Sequence, residues 1–437
     1  MDKSVHRTRD WRLRLLLIVG IAFIVRAAVA ILVAKSHTSA WFFGQTTELG
    51  LLAESLRTGH GLSSPFGGDT GPSAFLSPGY PMIVAAVFAI FGPYSGASEA
   101  AIMSLQVAFG AATVLVLMLL TRRIFGVKAA TIAGITCALC PPALFLPTLF
   151  WETSVSVLIA TTLFAASYLC AENSSLGDWV WLGLTAAIAL LVNPSLLPIV
   201  LCCFAWAIYR MRCEPLTAPV IGVLLCIALS MPWPVRNLRQ LHAFIPLRSN
   251  PGYELWQGNR PGSDGFFLAD LHPNVNASEF DQYKTLGEVG YMHEKSVFAK
   301  GRIEDNPGWF ILLTAKRIAY FWVGVGRQSS FPVVAYVTLT SLAGFVGLSM
   351  LWQRNRSLAL YFAFPLLLFP APYYITHPDF RFRLVIDPVM VALAAYAMTY
   401  RNVKSAKIPV PVFRARLSYC YTVTPTTIVY LVKPESQ

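Results

Sequence analysis

Apolar residues fall into runs of spanning length near residues 13–34, 100–120, 129–147, 153–171, 216–232, 332–351, 358–375 and 384–400, separated by short polar or basic stretches. A longer run over 179–209 is split by Asn193-Pro194 and reads as a hairpin of two more. At about 20 residues per crossing, the pattern predicts an all-α polytopic membrane protein of about ten transmembrane helices. Two apolar pieces fit this count poorly. Residues 80–91 are too few to cross, and 309–325 are interrupted by Lys316 and Arg317. Both are expected at the outer surface or as re-entrant segments.

The polar stretch over 44–81, GQTTELGLLAESLRTGHGLSSPFGGDTGPSAFLSPGYP, cannot cross a bilayer, yet hydrophobic segments flank it. Thr46 and Thr47 are potential helix caps, and Glu48 sits in the first turn, where the helix dipole favours a negative charge. Leu49, Leu52, Ala53 and Leu56 then repeat at helical spacing, predicting a short amphipathic helix lying on the membrane. A Gly- and Pro-rich segment follows, and a loop of this length is more often functional than a plain connection.

Composition agrees: 55% of the residues are hydrophobic, 13% are charged, and the mean hydropathy is +0.56. The net charge of +12 reads as topology, because Lys and Arg cluster beside apolar runs rather than on a soluble face, and no nucleic-acid partner is expected. The clusters are the amino terminus, Arg122-Arg123-Lys128, Arg210-Arg212, Arg354-Arg356 and Arg401-Lys404-Lys407. Placing them inside puts both termini in the cytoplasm, with an uncleaved first span and a cytoplasmic tail over 401–437. The first loop over 35–99, the Pro147 to Glu152 corner, a cap over 235–330 and the stretch from Tyr373 to Arg383 then share the outer face. None of the eight cysteines lies in the two large polar loops, which argues against an external disulfide framework. The C-x-x-C spacing of Cys137 and Cys140 has no second pair or nearby His, and reads as helix packing.

Candidate chemistry concentrates on the outer face. Glu48 and Glu152 are carboxylates beside segments where ionisable groups are costly; each could also be a simple interfacial acid. Asp69, in a Gly-rich turn, reads as structural. Arg236 follows Pro232-Trp233-Pro234, and Arg381 and Arg383 follow His377-Pro378-Asp379. A guanidinium fork suits phosphate, although interfacial snorkelling explains each arginine equally well. Tyr253, Glu254, Trp256 and Asn259 offer aromatic faces and hydrogen-bonding groups of the kind that bind sugars, or membrane anchors. His377 joins them as a candidate substrate contact; with Asp379 and Asp387 it has no metal-site spacing, and a structural histidine is the better reading. The Asn-x-Ser triplets at Asn173 and Asn276 decide nothing.

The pattern Glu48-x4-Ala53-x2-Leu56-x2-Gly59-x-Gly61, followed by Ser77-Pro78-Gly79-Tyr80-Pro81, resembles the first outer loop of GT-C glycosyltransferases. This superfamily includes the protein O-mannosyltransferases and the lipid A aminoarabinose transferases. The chain more closely resembles bacterial family 39 glycosyltransferases with the RgtA/B/C/D-like domain. The likeness continues through Trp151-Glu152, Asn193-Pro194, Pro232-Trp233-x2-Arg236-Asn237, Glu254-Leu255-Trp256-x-Gly258-Asn259 and Arg381-x-Arg383-x3-Asp387-Pro388, and spans residues 14–400. One departure stands out. The family's first-loop acid is usually Asp, often followed by a second acid and a Tyr, where this chain has Glu48, Leu49 and Leu52.

The resemblance implies a GT-C domain over 1–400 in a bacterial inner membrane, with its site on the outer face. It implies inverting transfer of a hexose or pentose from a polyprenyl-phosphate donor to a lipid, glycan or protein acceptor. Glu48 is then expected as base, Glu152 as a second acid, and Arg236, Arg381 and Arg383 as donor-phosphate ligands. A lipid phosphate leaves without protonation, so no metal or other cofactor is required, and a divalent ion stays open. The competing readings are a transporter or flippase of lipid-linked sugars, expected to show broken helices, mid-membrane charges or repeated halves, and a non-catalytic scaffold.

Overall fold

The computed structural model describes residues 3–211, 215–327 and 329–403. The tail beyond residue 403, with Lys404, Lys407 and Cys420, lies outside the described residues, as does Cys213. The described chain is helical throughout, apart from an isolated bridge between Ser63 and Pro72.

Helix α1 (Lys3–Ser36) leads through α2 (Ser39–Gly44) to α3 (Thr47–Arg57), the helix expected from the Leu49/Leu52/Ala53/Leu56 spacing. Its apolar side does not rest on lipid: Leu49, Leu52 and Ala53 are buried, and the helix packs on α4 (Gly79–Phe91). Thr46 stands at the N-cap without making a side-chain cap bond, so the capping expectation is not met there. The bundle continues with α5 (Gly96–Phe125), α6 (Val127–Ala138), α7 (Pro141–Phe145), α8 (Thr153–Asn173), α9 (Leu176–Val192) and α10 (Leu197–Arg210). The break at Asn193-Pro194 does make a hairpin, because Trp179 near the start of α9 stacks on Phe204 midway along α10. Helices α11 (Thr217–Ser230) and α12 (Pro232–Leu241) follow, then the cap helices α13 (Pro251–Asn259), α14 (Ala277–Asp305) and α15 (Pro307–Val323). The chain re-enters the bundle through α16 (Phe331–Arg354) and α17 (Arg356–Leu368), and closes with α18 (Ala371–Ile375), α19 (Phe380–Leu384) and α20 (Asp387–Val403).

Among the described residues six helices are long and apolar enough to span, or seven if the pair α6 and α7, bent by 53°, is one crossing. The expected single span over 129–147 is thus broken at Cys140-Pro141, where proline removes a backbone donor. Helices α4, α9 and the 194–210 helix are apolar but shorter, so the tally by length stands below the ten expected. Close helix contacts rely on glycine: a Cβ on Gly183 would lie 2.4 Å from the Gly222 carbonyl of α11, so neither helix tolerates a larger residue there.

Charges are not confined to span ends. Arg26, midway along α1, is 2% exposed and donates to the carbonyls of Ala22, Cys137 and Ala138. It thereby satisfies the carbonyl end of α6 at the bend. In the same bundle Arg383 pairs with Asp387 at 3.1 Å, and Asp387 also accepts from the Tyr336 hydroxyl at 2.7 Å.

The segment over 235–330 packs on the first loop and, through α15, on α16 and α18. Its core joins first-loop rings to cap rings: Phe66 and Phe75 pack with Tyr253, Trp256, Tyr283, Tyr291 and Met292. Buried Glu288 of α14 accepts from the Ala74 amide at 2.6 Å and from the Tyr283 hydroxyl at 3.0 Å, stitching the loop to the cap. Just before Glu288, α14 kinks at Gly287 (φ 67°, ψ 169°), a conformation open essentially to glycine alone.

Candidate functional site

The start of α8 and the helix α13 meet the strap from His377 to Arg383, with the α9–α4 contact and the start of α3 close by, and the sequence-predicted residues distribute unevenly around that junction. Glu48, in the first turn of α3, is half-buried and accepts from Asn274 Nδ2 at 3.1 Å. It adds its charge to that of Glu254 in pushing the Tyr253 hydroxyl far above its ordinary range, after burial, which is the main cause.

Glu152 lies at the start of α8, on a corner that buried amides hold in place. Gln106 Nε2 donates to the Leu149 carbonyl at 2.8 Å, Ser154 Oγ donates to Gln106 Oε1 at 3.1 Å, and Gln45 Oε1 accepts from the Phe150 amide at 3.3 Å. The one ion pair of Glu152 is with Arg248 Nη2 at 3.5 Å. Arg248 also reaches Ser77 Oγ at 3.3 Å and the Val192 carbonyl at 3.4 Å. All three contacts are long for charge-assisted bonds, so its donors are weakly used.

Glu254 is the best-anchored acid of the site. Its Oε2 accepts from His377 Nε2 at 2.7 Å and its Oε1 from Asn250 Nδ2 at 2.8 Å. Burial works to raise its pKa, but the His377 bond, with the charges of His377, Arg381 and Arg248, outweighs it and holds the carboxyl below its ordinary value. His377 thus contacts the site as well as the core. Arg381 sits 4.3 Å above the Trp151 ring, approaches Asp379 only to 4.0 Å, and makes no side-chain hydrogen bond with any described residue.

The other candidates are occupied elsewhere. Arg236 donates to the Ser73 carbonyl at 2.7 Å and the Leu62 carbonyl at 2.6 Å, and covers the Trp233 ring at 5.2 Å; it clamps the first loop. Arg383 is fully buried on Asp387 and Ser341. Tyr253, Trp256 and Asn259 are buried at 1%, 7% and 0%, so their faces serve the cap core rather than an open sugar subsite. Asn259 Oδ1 accepts from Arg317, a fully buried cation that also donates to the Ile375 carbonyl at 3.2 Å. Gly258 allows this approach, since a Cβ there would overlap the Thr376 carbonyl. Sequence reasoning missed Arg248 and the role of Asn274, which sit on irregular stretches without periodicity, and it read Arg317 of α15 only as an interruption of an apolar segment. Several buried polar atoms at the junction have no partner among the described residues: Tyr80 OH, Ser249 Oγ, Asn274 Oδ1 and His377 Nδ1. The described residues hold no cluster of three or more His, Cys, Asp or Glu side chains suited to a metal ion.

Residues 76–235, a little over a third of the chain, match the family model of dolichyl-phosphate-mannose-protein mannosyltransferases. The match contains Glu152 and stops one residue before Arg236. No curated protein matches the chain. Among solved structures, the chain is similar to the oligosaccharyltransferase AglB of Archaeoglobus fulgidus in complex with an inhibitory peptide and a dolichol-phosphate. That likeness has a TM-score of 0.53 and 15% identity, over 92% of this chain and 53% of the other. The same archaeal enzyme in complex with zinc and sulfate gives 0.53 and 14%, over 88% and 49%. ArnT from Cupriavidus metallidurans bound to undecaprenyl phosphate superposes more loosely, at 0.35 and 13% over 86% and 77%. The chain spans about half the length of the archaeal chains it matches. The fold is of the GT-C type, in agreement with the sequence resemblance.

Proposed function

We propose that the chain transfers a sugar from a polyprenyl-phosphate donor to an acceptor hydroxyl at the outer membrane face, with inversion at the anomeric carbon. The observation that carries this reading is the junction itself. Glu152 lies with Arg248 and Arg381 around Tyr373, the same two arginines act on Glu254, and Glu48 acts with Glu254 on the Tyr253 hydroxyl. The Arg381 guanidinium is bound among the described residues by nothing but aromatic faces and a distant carboxylate. Buried polar atoms without partners among the described residues, Tyr80 OH, Ser249 Oγ and His377 Nδ1, are open to a polar ligand or to water there. The family match, and the dolichol-phosphate held by the structurally similar archaeal enzyme, support a lipid-phosphate donor.

Glu48 takes the proton of the acceptor hydroxyl as the oxygen attacks the anomeric carbon. The bond from that carbon to the phosphate oxygen breaks, and its electron pair leaves with the lipid phosphate. Arg381 faces the charge that develops there. Attack from the side opposite the phosphate inverts the centre. Glu152 orients the acceptor, and Glu254, kept ionised by His377, supplies a fixed negative pole beside the arginines. Of the expected phosphate ligands Arg381 alone keeps free donors, so Arg236 and Arg383 are assigned to holding the loop and α20. The site faces the cell exterior if the basic clusters are cytoplasmic. The test is a transfer assay on purified protein in lipid, offering radiolabelled polyprenyl-phosphate hexoses and pentoses to a membrane and glycan extract. Label appearing in an acceptor is the expected result. Intact labelled donor crossing the vesicle membrane without transfer would assign the chain to the flippases.

A further inference from the structure

We propose that Arg248 is a second ligand of the donor phosphate, held in reserve by Glu152 while the site is empty. This rests on the transfer reading of the same site. Arg248 lies in the segment between α12 and α13, and its side chain is 18% exposed. It reaches three different elements: Ser77 before α4, Glu152 before α8, and the Val192 carbonyl at the end of α9. No contact is shorter than 3.3 Å, whereas a committed guanidinium–carboxylate pair closes to about 2.8 Å. Its charge and that of Arg381 both bear on Glu254 and on Tyr373, so the two guanidiniums share one neighbourhood.

Charge bookkeeping decides what an arriving phosphate does there. Arg248 and Arg381 are already balanced by Glu152 and Glu254, and Glu254 is fixed by His377 and Asn250. Glu152 has only the loose Arg248 contact. The phosphate therefore competes with Glu152, the weaker holder, for Arg248. Capture of Arg248 closes a two-arginine grip and leaves Glu152 free to meet the acceptor. The order of events follows: the second acid is released only when donor is present.

A double-mutant cycle on binding tests this without relying on turnover. Farnesyl phosphate is titrated into full-length protein in nanodiscs for wild type, Arg248→Gln, Glu152→Gln and the double variant, with inorganic phosphate as a parallel probe and Arg248→Lys as the conservative control. Loss of a charge-assisted phosphate contact predicts at least about tenfold weaker binding for Arg248→Gln, with Arg248→Lys between it and wild type. Removing the competitor predicts about two- to fivefold tighter binding for Glu152→Gln, the range of an exposed ion pair. That gain should vanish in the Arg248→Gln background. The same Arg248 dependence with inorganic phosphate assigns the contact to the phosphate group rather than to the lipid. Wild-type affinity in Arg248→Gln, or a Glu152→Gln gain that survives without Arg248, overturns the proposal. A wild type that binds no prenyl phosphate overturns the donor reading as well, so the two failures are distinguishable.

Discussion

Replacing Arg236 separates a loop clamp from a phosphate ligand. Its two strong bonds go to Ser73 O at 2.7 Å and Leu62 O at 2.6 Å, with a third to Asn237 Oδ1 at 3.0 Å. Leu62 O keeps a second donor in Arg236→Met, because the Ser73 amide already reaches it at 2.9 Å. The Ser73 carbonyl has no other partner and lies on a buried residue. One orphaned buried acceptor and one lost charge-assisted bond, at about 1–3 kcal/mol each, put the cost at about 2–6 kcal/mol. That cost falls on the loop over 59–78, since the bundle does not use Arg236. Hydrogen exchange should show that loop losing about 30-fold or more of its protection, with the amides of α5 and α8 unchanged and prenyl-phosphate affinity near wild type below the loop's melting temperature. Unchanged loop protection together with a tenfold loss of phosphate affinity would refute the clamp and return Arg236 to the anion site.

Other variants probe the remaining supports. Arg383→Met should destabilise by about 3–5 kcal/mol, because it strands the buried Asp387, and Arg383→Met with Asp387→Leu should recover much of that loss; thermal midpoints in detergent measure both. Gly258→Ala should lower the midpoint and abolish transfer together, since the strap carrying His377 and Arg381 cannot keep its distance from α13. Glu254 has its folded pKa depressed below the ordinary 4.5, so its stabilising contribution is full above that value and disappears as pH falls through the lower folded pKa. The stability gap between wild type and Glu254→Gln, followed by thermal denaturation against pH, should therefore be widest above pH 5 and close on acidification.

How far the sequence reveals this molecule depends on how local the cause is. Burial of continuous apolar runs is a one-dimensional signal, so α5, α8, α11 and α16 are legible as spans, and Asn193-Pro194 marks the turn between α9 and α10. The i, i+3, i+4 spacing after Glu48 identifies α3, but periodicity says only that one face is buried, not whether lipid or α4 covers it. The kink at Cys140-Pro141 is written in a proline; the buried Arg26 that satisfies its open carbonyls comes from a helix more than a hundred residues away. The site is harder still. Residue type marks Arg236, Arg381 and Arg383 alike, and only the partners of each guanidinium show that two are already engaged. Arg248 sits in an aperiodic stretch and becomes notable only because folding sets it beside Glu152.

The most direct measurement is turnover by Glu48→Gln beside wild type, in lipid, with a donor the wild type uses, reading both released polyprenyl phosphate and the anomeric configuration of the product. The account predicts one lipid phosphate released per inverted linkage for wild type, and a variant that is equally stable, binds the donor and does not turn over. Turnover near the wild-type rate in Glu48→Gln, or a product of retained configuration, would contradict it.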